Sequence, residues 1–197
     1  MHRIFIAINL SENIIGKLVI CQEKITAAFS GRCPVTWTKK ENLHITLAFV
    51  GTATNDELLE ICNLARKVGA KHQPFDVSLS RILYGPANAN PPRMVWVEGE
   101  KSAALTLLEN DIENTLGESG SANYQPENRA FTPHITLGRI KAWQFRQIEP
   151  EEIPEIEEEF SQTFTVRSIE VMDSELKRGG PNYAVLESIP LGVAKES

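Results

Sequence analysis

The chain is poor in cysteine, and the three it has, Cys21, Cys33 and Cys62, form neither an even set nor a C-x-x-C pair. That excludes a disulfide frame and a zinc ribbon and predicts free thiols in a reducing compartment. No apolar run approaches the length of a membrane span. The apolar start at Met1–Leu10 is too short for a signal peptide and is ended by Ser11-Glu12-Asn13. Positive charge is not in excess: the formal net charge is −6, which argues against a broad electrostatic footprint on nucleic acid. A short oligonucleotide, or a nucleotide end held by a few local cations, remains compatible with it. Several catalytic signatures are missing too: there is no G-x-x-x-x-G-K-[ST] loop, no G-x-S-x-G elbow and no H-E-x-x-H. The composition, 42% hydrophobic and 23% charged over 197 residues, is that of a globular protein with one core or two small lobes sharing an interface. A cytoplasmic, metal-independent monomer is the expectation.

What is present is a repeat. His-Ile-Thr-Leu occurs at His44–Leu47 and again at His134–Leu137, using two of the four histidines. Given a His at both places, the next three residues agree by chance in roughly one case in a thousand. On a strand, His and the Thr two positions later share a face. One such strand is most simply half-buried with its His bonded to backbone. A duplicated His has no packing advantage over a duplicated Val, so the pair points to chemistry.

The surrounding pattern gives two similar halves. In the first, Arg3–Asn9 reads as a strand, Ser11–Ser30 as a helix, Val35–Thr38 as a short strand and Leu43–Val50 as the strand with the first motif, closed by Gly51. A capping box at Thr54–Glu57 opens a helix to about Ala70, and Phe75–Leu83 alternates as a strand. Tyr84–Pro92, rich in Pro, Asn and Gly, reads as a loop and as the lobe boundary. In the second half Arg93–Glu98 is a strand, Lys101–Glu118 a helix and Pro133–Ile140 the second motif strand. The acidic stretch Glu149–Glu159 reads as a solvated linker or short helix without a part in chemistry. Phe164–Asp173 and Asn182–Pro190 read as strands around a turn at Gly179-Gly180-Pro181. The expected architecture is α+β: two pseudo-twofold-related lobes, their antiparallel sheets facing a central cleft with helices outside. The expected domain is the whole chain, 1–197, with each lobe supplying one His-x-Thr strand.

Alternation places His44, Thr46 and Ala48 on one face, with Ile45, Leu47 and Phe49 on the other. It likewise sets His134, Thr136 and Gly138 against Ile135, Leu137 and Arg139. Two imidazoles flanking one cavity suit in-line displacement at phosphorus. A neutral His takes the proton of the entering water, and a protonated His gives one to the departing oxygen. The Thr hydroxyls donate to the non-bridging oxygens. Arg139 is the best-placed cation, although strict alternation leaves its direction open. Lys39, Lys40, Arg129 and Arg178 are further cations of unassigned role. His-x-Thr is not metal-ligand spacing and no acidic cluster accompanies either His. His2 and His72 read as structural or exposed.

These residues resemble the two-histidine phosphoesterase superfamily, in its RNA 2′,3′-cyclic phosphodiesterase branch, often labelled 2′-5′ RNA ligase. The resemblance covers nearly the whole chain. It runs through Trp37–Gly51 with the first motif, Pro92–Val97, Phe131–Arg139 with the second motif, and Ser174-Glu175-Leu176 followed by Gly180, Tyr183 and Leu186. It implies hydrolysis of a 2′,3′-cyclic phosphate on RNA ends or short oligonucleotides to a 2′-phosphate, without metal or cofactor, and reversible 2′-5′ joining of RNA ends as a side activity. By the family pattern His44 corresponds to the general acid and His134 to the general base. Thr46, Thr136 and Arg139 correspond to phosphate-binding residues, and Phe49 to an aromatic near base or ribose. Two other readings compete. One is a phosphodiesterase for small cyclic phosphates, such as a cyclic mononucleotide or ADP-ribose cyclic phosphate. The other is a non-catalytic module that holds a nucleotide such as AMP.

Overall fold

A computed structural model describes residues 1–29, 31–87, 89–120, 124–126, 130–178 and 180–192. The chain opens with β1 (His2–Asn9), in which Ile4, Ile6 and Ile8 alternate with Phe5, Ala7 and Asn9. The three isoleucines enter the main core, while Phe5 and Ala7 join Met172 and Tyr183 in a small second cluster on the opposite face. Helix α1 (Glu12–Ala28) starts where the Ser11 hydroxyl accepts the Ile14 N–H, and it buries Ile14, Leu18, Cys21 and Ile25 at helical spacing. After β2 (Val35–Trp37) and a 3₁₀ turn at Lys40–Asn42 comes β3 (His44–Ala53). Helix α2 (Asn55–Gly69) is opened by the reciprocal Thr54–Glu57 capping box. Next come β4 (Phe75–Gly85), β5 (Met94–Gly99) and α3 (Ala103–Ser119). Helix α3 is capped by Ser102 and stopped by Gly120 at φ +65. The remaining elements are β6 (His134–Ile140), a single turn α4 (Ala142–Phe145), and the strands β7 (Glu157–Val166), β8 (Ser168–Lys177) and β9 (Gly180–Pro190).

The strand order is β7-β4-β5-β6-β3-β1-β8-β9, with β2 added to β6 and every pairing antiparallel. Read outward from the middle, each side begins with a histidine strand: β6, β5, β4, β7 one way and β3, β1, β8, β9 the other. The two half-sheets lie side by side and meet at a single residue pair, Ile45 opposite Ile135. The main core forms on the sheet face that α1, α2 and α3 cover. The other face carries His44, Thr46, His134 and Thr136, all half-buried.

Four sequence expectations are corrected. Gly51 does not close its strand: it takes φ +98 within the strand, which continues to Ala53 against His2. The Tyr84–Pro92 loop is not the lobe boundary, because β4 and β5 pair with each other in the His134 half. The chain changes halves instead through α2 and at Arg167. Phe164–Asp173 is therefore not one strand but the end of β7 and the start of β8. The sequence carries the mark of this break, since the buried apolar positions Phe160, Val166 and then Ile169, Val171 slip by one residue at Arg167. Finally, the acidic stretch is only partly linker. Pro150–Glu152 is a 3₁₀ turn, and Glu157–Glu159 begin the edge strand β7, where carboxylates discourage pairing with another chain.

Candidate active site

His44 and His134 are the first residues of β3 and β6. Extending the Ile45–Ile135 register by one residue each way sets His44 beside Thr136 and Thr46 beside His134. All four side chains stand on the open face around that one pair, as a diagonal quartet. Ile45, Leu47, Ile135 and Leu137 hold it in place by filling the core behind it.

Both motif strands then carry the same β-bulge. On β3, Ala7 faces Thr46 and Ile6 faces Ala48, leaving Leu47 as the extra residue. On β6, Trp96 faces Thr136 and Val95 faces Gly138, leaving Leu137. A bulge inverts the alternation beyond it. Ala48 and Gly138 therefore turn into the core, and Phe49 and Arg139 turn out beside the histidines. Their cross-strand partners confirm the face: Phe49 is opposite Phe5, which shares a side with Ala7 and Asn9, and Arg139 is opposite Met94, which shares a side with Trp96 and Glu98. Strict alternation placed Phe49 and Arg139 with the buried leucines; the bulges overturn that. Phe49 is 59% exposed, far too open for a core residue.

The two imidazoles are anchored alike. Nδ1 of His44 lies 2.7 Å from the Asn42 carbonyl oxygen and Nδ1 of His134 lies 2.8 Å from that of Thr132. A carbonyl only accepts, so Nδ1 carries the proton in both rings and Nε2 is the exchangeable nitrogen. Nε2 of His44 is 2.9 Å from the Thr46 hydroxyl; among the described residues Nε2 of His134 has no hydrogen-bond partner. The Thr136 hydroxyl makes only a weak contact with Met94 Sδ, at 3.8 Å.

Their surroundings differ. His44 packs between Phe5, with centroids 5.1 Å apart, and the edge of Tyr183 at 5.4 Å, and Phe49 stands behind Phe5. Burial among these rings holds the His44 imidazole below its ordinary pKa. The Asn42 carbonyl opposes this shift and the charge of His134 adds to it. His134 lies against Trp96 at 4.7 Å. The indole in turn fits only because residue 85 is glycine: a Cβ there would stand 2.5 Å from the ring. Asn42 ties the approach to His44 to β9 by donating from Nδ2 to the Pro181 carbonyl.

Of the other cations singled out from the sequence, Lys39, Lys40 and Arg178 are exposed, with no ion pair among the described residues, and Arg129 lies outside the described residues. His2 is held by Asp173 and Asn55, and the buried His72 by Asp111, as structural histidines are. Among the described residues no three His, Cys, Asp or Glu side chains converge as metal ligands, and no described helix is long and apolar enough to cross a membrane. Sequence reasoning gave no role to Phe5, Asn42, Trp96, Thr132 or Tyr183. The signal for Phe5 and Trp96 was the register, which the sequence does not print.

A single antiparallel sheet bearing two symmetry-related His-x-Thr strands on its open face is the architecture of the two-histidine phosphoesterases. A model of the 2′-5′ RNA ligase superfamily matches residues 24–178, and the chain belongs to that superfamily. An RNA 2′,3′-cyclic phosphodiesterase of Thermus thermophilus is 32% identical over 192 residues, covering 96% of this chain and 90% of its own. One of Methanocaldococcus jannaschii is 29% identical over 185 residues, covering 94% and 98%. The fold matches the crystal structure of the T. thermophilus protein TT0787 with a TM-score of 0.81 at 26% identity, covering 96% of this chain and 98% of that one. It also matches that of Escherichia coli LigT complexed with 3′-AMP, with a TM-score of 0.74 at 25% identity and coverage of 96% and 98%.

Proposed function

We propose that this protein hydrolyses the terminal 2′,3′-cyclic phosphate of RNA to a 2′-phosphate. The observation that carries the reading is the diagonal quartet, in which two imidazoles present Nε2 to one site with a hydroxyl beside each. Water attacks phosphorus in line with the bond to O3′ and gives its proton to Nε2 of neutral His134. That bond breaks, and O3′ takes the proton from Nε2 of protonated His44, leaving the phosphate on O2′. Thr46, Thr136 and Arg139 donate to the non-bridging oxygens, and Phe49 flanks the base or ribose.

Burial disfavours the charged form of His44 in the empty site. The anionic phosphodiester reverses this on arrival, so the acid is charged when its leaving group is present. A 5′-hydroxyl entering in place of water makes a 2′-5′ bond by the same steps, which is the basis for reversible ligation. Because each half supplies one His–Thr pair, residues 1–197 act as one catalytic unit and no second subunit is needed. Relatives named RNA 2′,3′-cyclic phosphodiesterase over nearly the full chain support the reading, as does a structural relative that holds 3′-AMP.

The test is product identity from an oligonucleotide with a 2′,3′-cyclic end. A 2′-phosphate, formed by the wild type and not by a His44→Ala/His134→Ala double variant, is expected. A 3′-phosphate as the sole product overturns the assignment.

A further inference from the structure

The chain is acidic overall, yet three of its segments hold none of its 26 acidic residues: 24–40, 82–97 and 130–148. The fold brings parts of all three together at the far end of β6. Thr36 of β2 lies opposite Arg139. The Ile140 N–H donates to the Arg93 carbonyl and the Lys141 N–H to the Pro34 carbonyl, both at 2.9 Å. Arg93, Arg139, Lys141 and Arg146 are all exposed there, and none is in an ion pair among the described residues. Two other exposed arginines are neutralised, Arg66 by both oxygens of Glu187 and Arg81 between Glu98 and Glu157. Arg3, Arg32, Arg167 and Arg178 are exposed without an ion pair among the described residues; of these only Arg32 falls within the three acid-free segments. A cluster of exposed cations without ion pairs therefore lies outward from the active site on a chain of net charge −6, with the acidic stretch from Glu149 following it.

The same patch displays an indole. The turn α4 buries Phe145 against the Tyr84 ring, 5.8 Å away, and this leaves Trp143 outward and 63% exposed. A flat aromatic among unpaired cations is the chemistry that holds a single nucleic-acid strand, with charge on the phosphates and stacking on a base. Trp143 lies roughly 10 Å of chain beyond Arg139. Only a substrate with nucleotides beyond the terminal one reaches it.

We propose that this end of the His134 half is the docking surface for the single-stranded RNA leading to the cyclic end, its phosphates on Arg93, Lys141 and Arg146 and one base stacked on Trp143. The proposal rests on the RNA reading of the active site and makes that reading specific. The enzyme prefers an oligonucleotide end to a free cyclic mononucleotide, despite its acidic composition.

The experiment compares kcat/KM for a 2′,3′-cyclic mononucleotide with that for a cyclic-phosphate-ended oligonucleotide of about six nucleotides, within the reach of one single-strand site. It uses wild type, Trp143→Ala and the double variant Lys141→Glu/Arg146→Glu, each checked by thermal melting. Wild type is expected to favour the oligonucleotide, and the preference to shrink as salt rises. Each variant is expected to lose roughly tenfold on the oligonucleotide, the worth of one stacked base, with mononucleotide turnover unchanged. Equal loss on both substrates, or no loss on either, overturns the surface while leaving the catalytic reading intact. If wild type turns over neither substrate, the catalytic reading fails. Binding of a 3′-phosphate-ended oligonucleotide, followed by fluorescence anisotropy, then decides the surface alone: weaker binding by both variants supports it, and unchanged binding overturns it.

Discussion

The two histidine strands share one backbone and face two different environments. Each begins with a histidine tied through Nδ1 to the carbonyl two residues back, carries a threonine two residues on, and bulges at the following leucine. Around this common frame the side chains diverge. The residue five past the histidine is Phe49 in one strand and Arg139 in the other. His44 sits among Phe5, Phe49 and Tyr183, whereas His134 has Trp96 on one side and cations beyond it. The lesson is that duplication fixes where two proton carriers stand, and their neighbours decide what each half of the substrate meets. The aromatic half suits the nucleoside and the leaving O3′. The cationic half suits the phosphate and the RNA strand that leads to the cyclic end.

The sharpest test of this division is removal of each histidine. His44→Ala and His134→Ala are each expected to lower turnover of a cyclic phosphate by roughly 100- to 10,000-fold, the usual worth of a positioned acid or base. A substrate with a better leaving group should restore the His44 variant more than the His134 variant, since a good leaving group needs less protonation. Equal rescue breaks the role assignment; near-wild-type activity in either variant breaks the two-histidine mechanism.

The paired positions Arg139 and Phe49 give a smaller contrast. In the proposed mechanism Arg139→Ala removes a charge-assisted bond to the phosphate, of a kind worth about 1.5–3 kcal/mol, so kcat/KM should fall roughly ten- to a hundredfold. Phe49→Ala removes an aromatic contact worth about 0.5–1.5 kcal/mol and should cost roughly two- to tenfold, mainly in KM. If Phe49→Ala costs more than Arg139→Ala in steady-state kinetics, the halves have been assigned the wrong way round.

The comparison extends to packing. Gly138 and Ala48 occupy the same place after the two bulges, but only β6 has a further strand, β2, lying against it. A Cβ on Gly138 would stand 2.5 Å from Val35 Cγ1, 2.8 Å from Trp37 Cε3 and 3.1 Å from the Thr36 carbonyl oxygen. Gly138→Ala should therefore cost about 1–3 kcal/mol of stability by overpacking. The reverse change, Ala48→Gly, should cost only about 0.5–1 kcal/mol, through the freedom glycine regains on unfolding. Chemical denaturation of both variants measures the difference. Equal costs would show that β2 yields easily, and that the asymmetry of the halves is confined to their surfaces.

Most of the fold and the centre of the site were legible because both rest on local signals. The Thr54–Glu57 cap, the helical spacing of Leu105, Leu108, Ile112 and Leu116, and the repeated His-Ile-Thr-Leu each act within a few residues. What was hidden depends on partners. The bulges at Leu47 and Leu137 exist only relative to β1 and β5, so the faces of Phe49 and Arg139 could not follow from alternation. Gly138 inside a strand was the available hint, since a strand glycine often marks a bulge or a close approach. The change of half at Arg167 was visible as a slipped apolar period, but a slip alone does not say that two consecutive strands part company. Trp96 against His134 required knowing that β5 neighbours β6.

The smallest expected effect concerns charge. Burial among Phe5 and Tyr183 keeps the His44 imidazole below its ordinary value near 6.5, with a further push from the charge of His134. In the unfolded chain His44 titrates near that ordinary value. Between the two values the unfolded state binds more protons than the native one. The contribution of His44 to stability is therefore fully present above about pH 6.5 and is lost as pH falls through the lower native value. NMR titration of the ligand-free protein should find His44 shifted downward. His134→Ala removes a like charge and should move the His44 titration slightly up. Tyr183→Ala admits water and should move it further, because burial is the larger cause. Saturation with inorganic phosphate should raise it as well, by placing an anion beside Nε2. The two sites interact, so the pair is read from curves of both imidazoles fitted together. A His44 that titrates above its ordinary value in the empty protein would contradict the aromatic-half picture. It would mean that the acid is charged before the substrate arrives, and that the contrast between the two halves lies in shape alone.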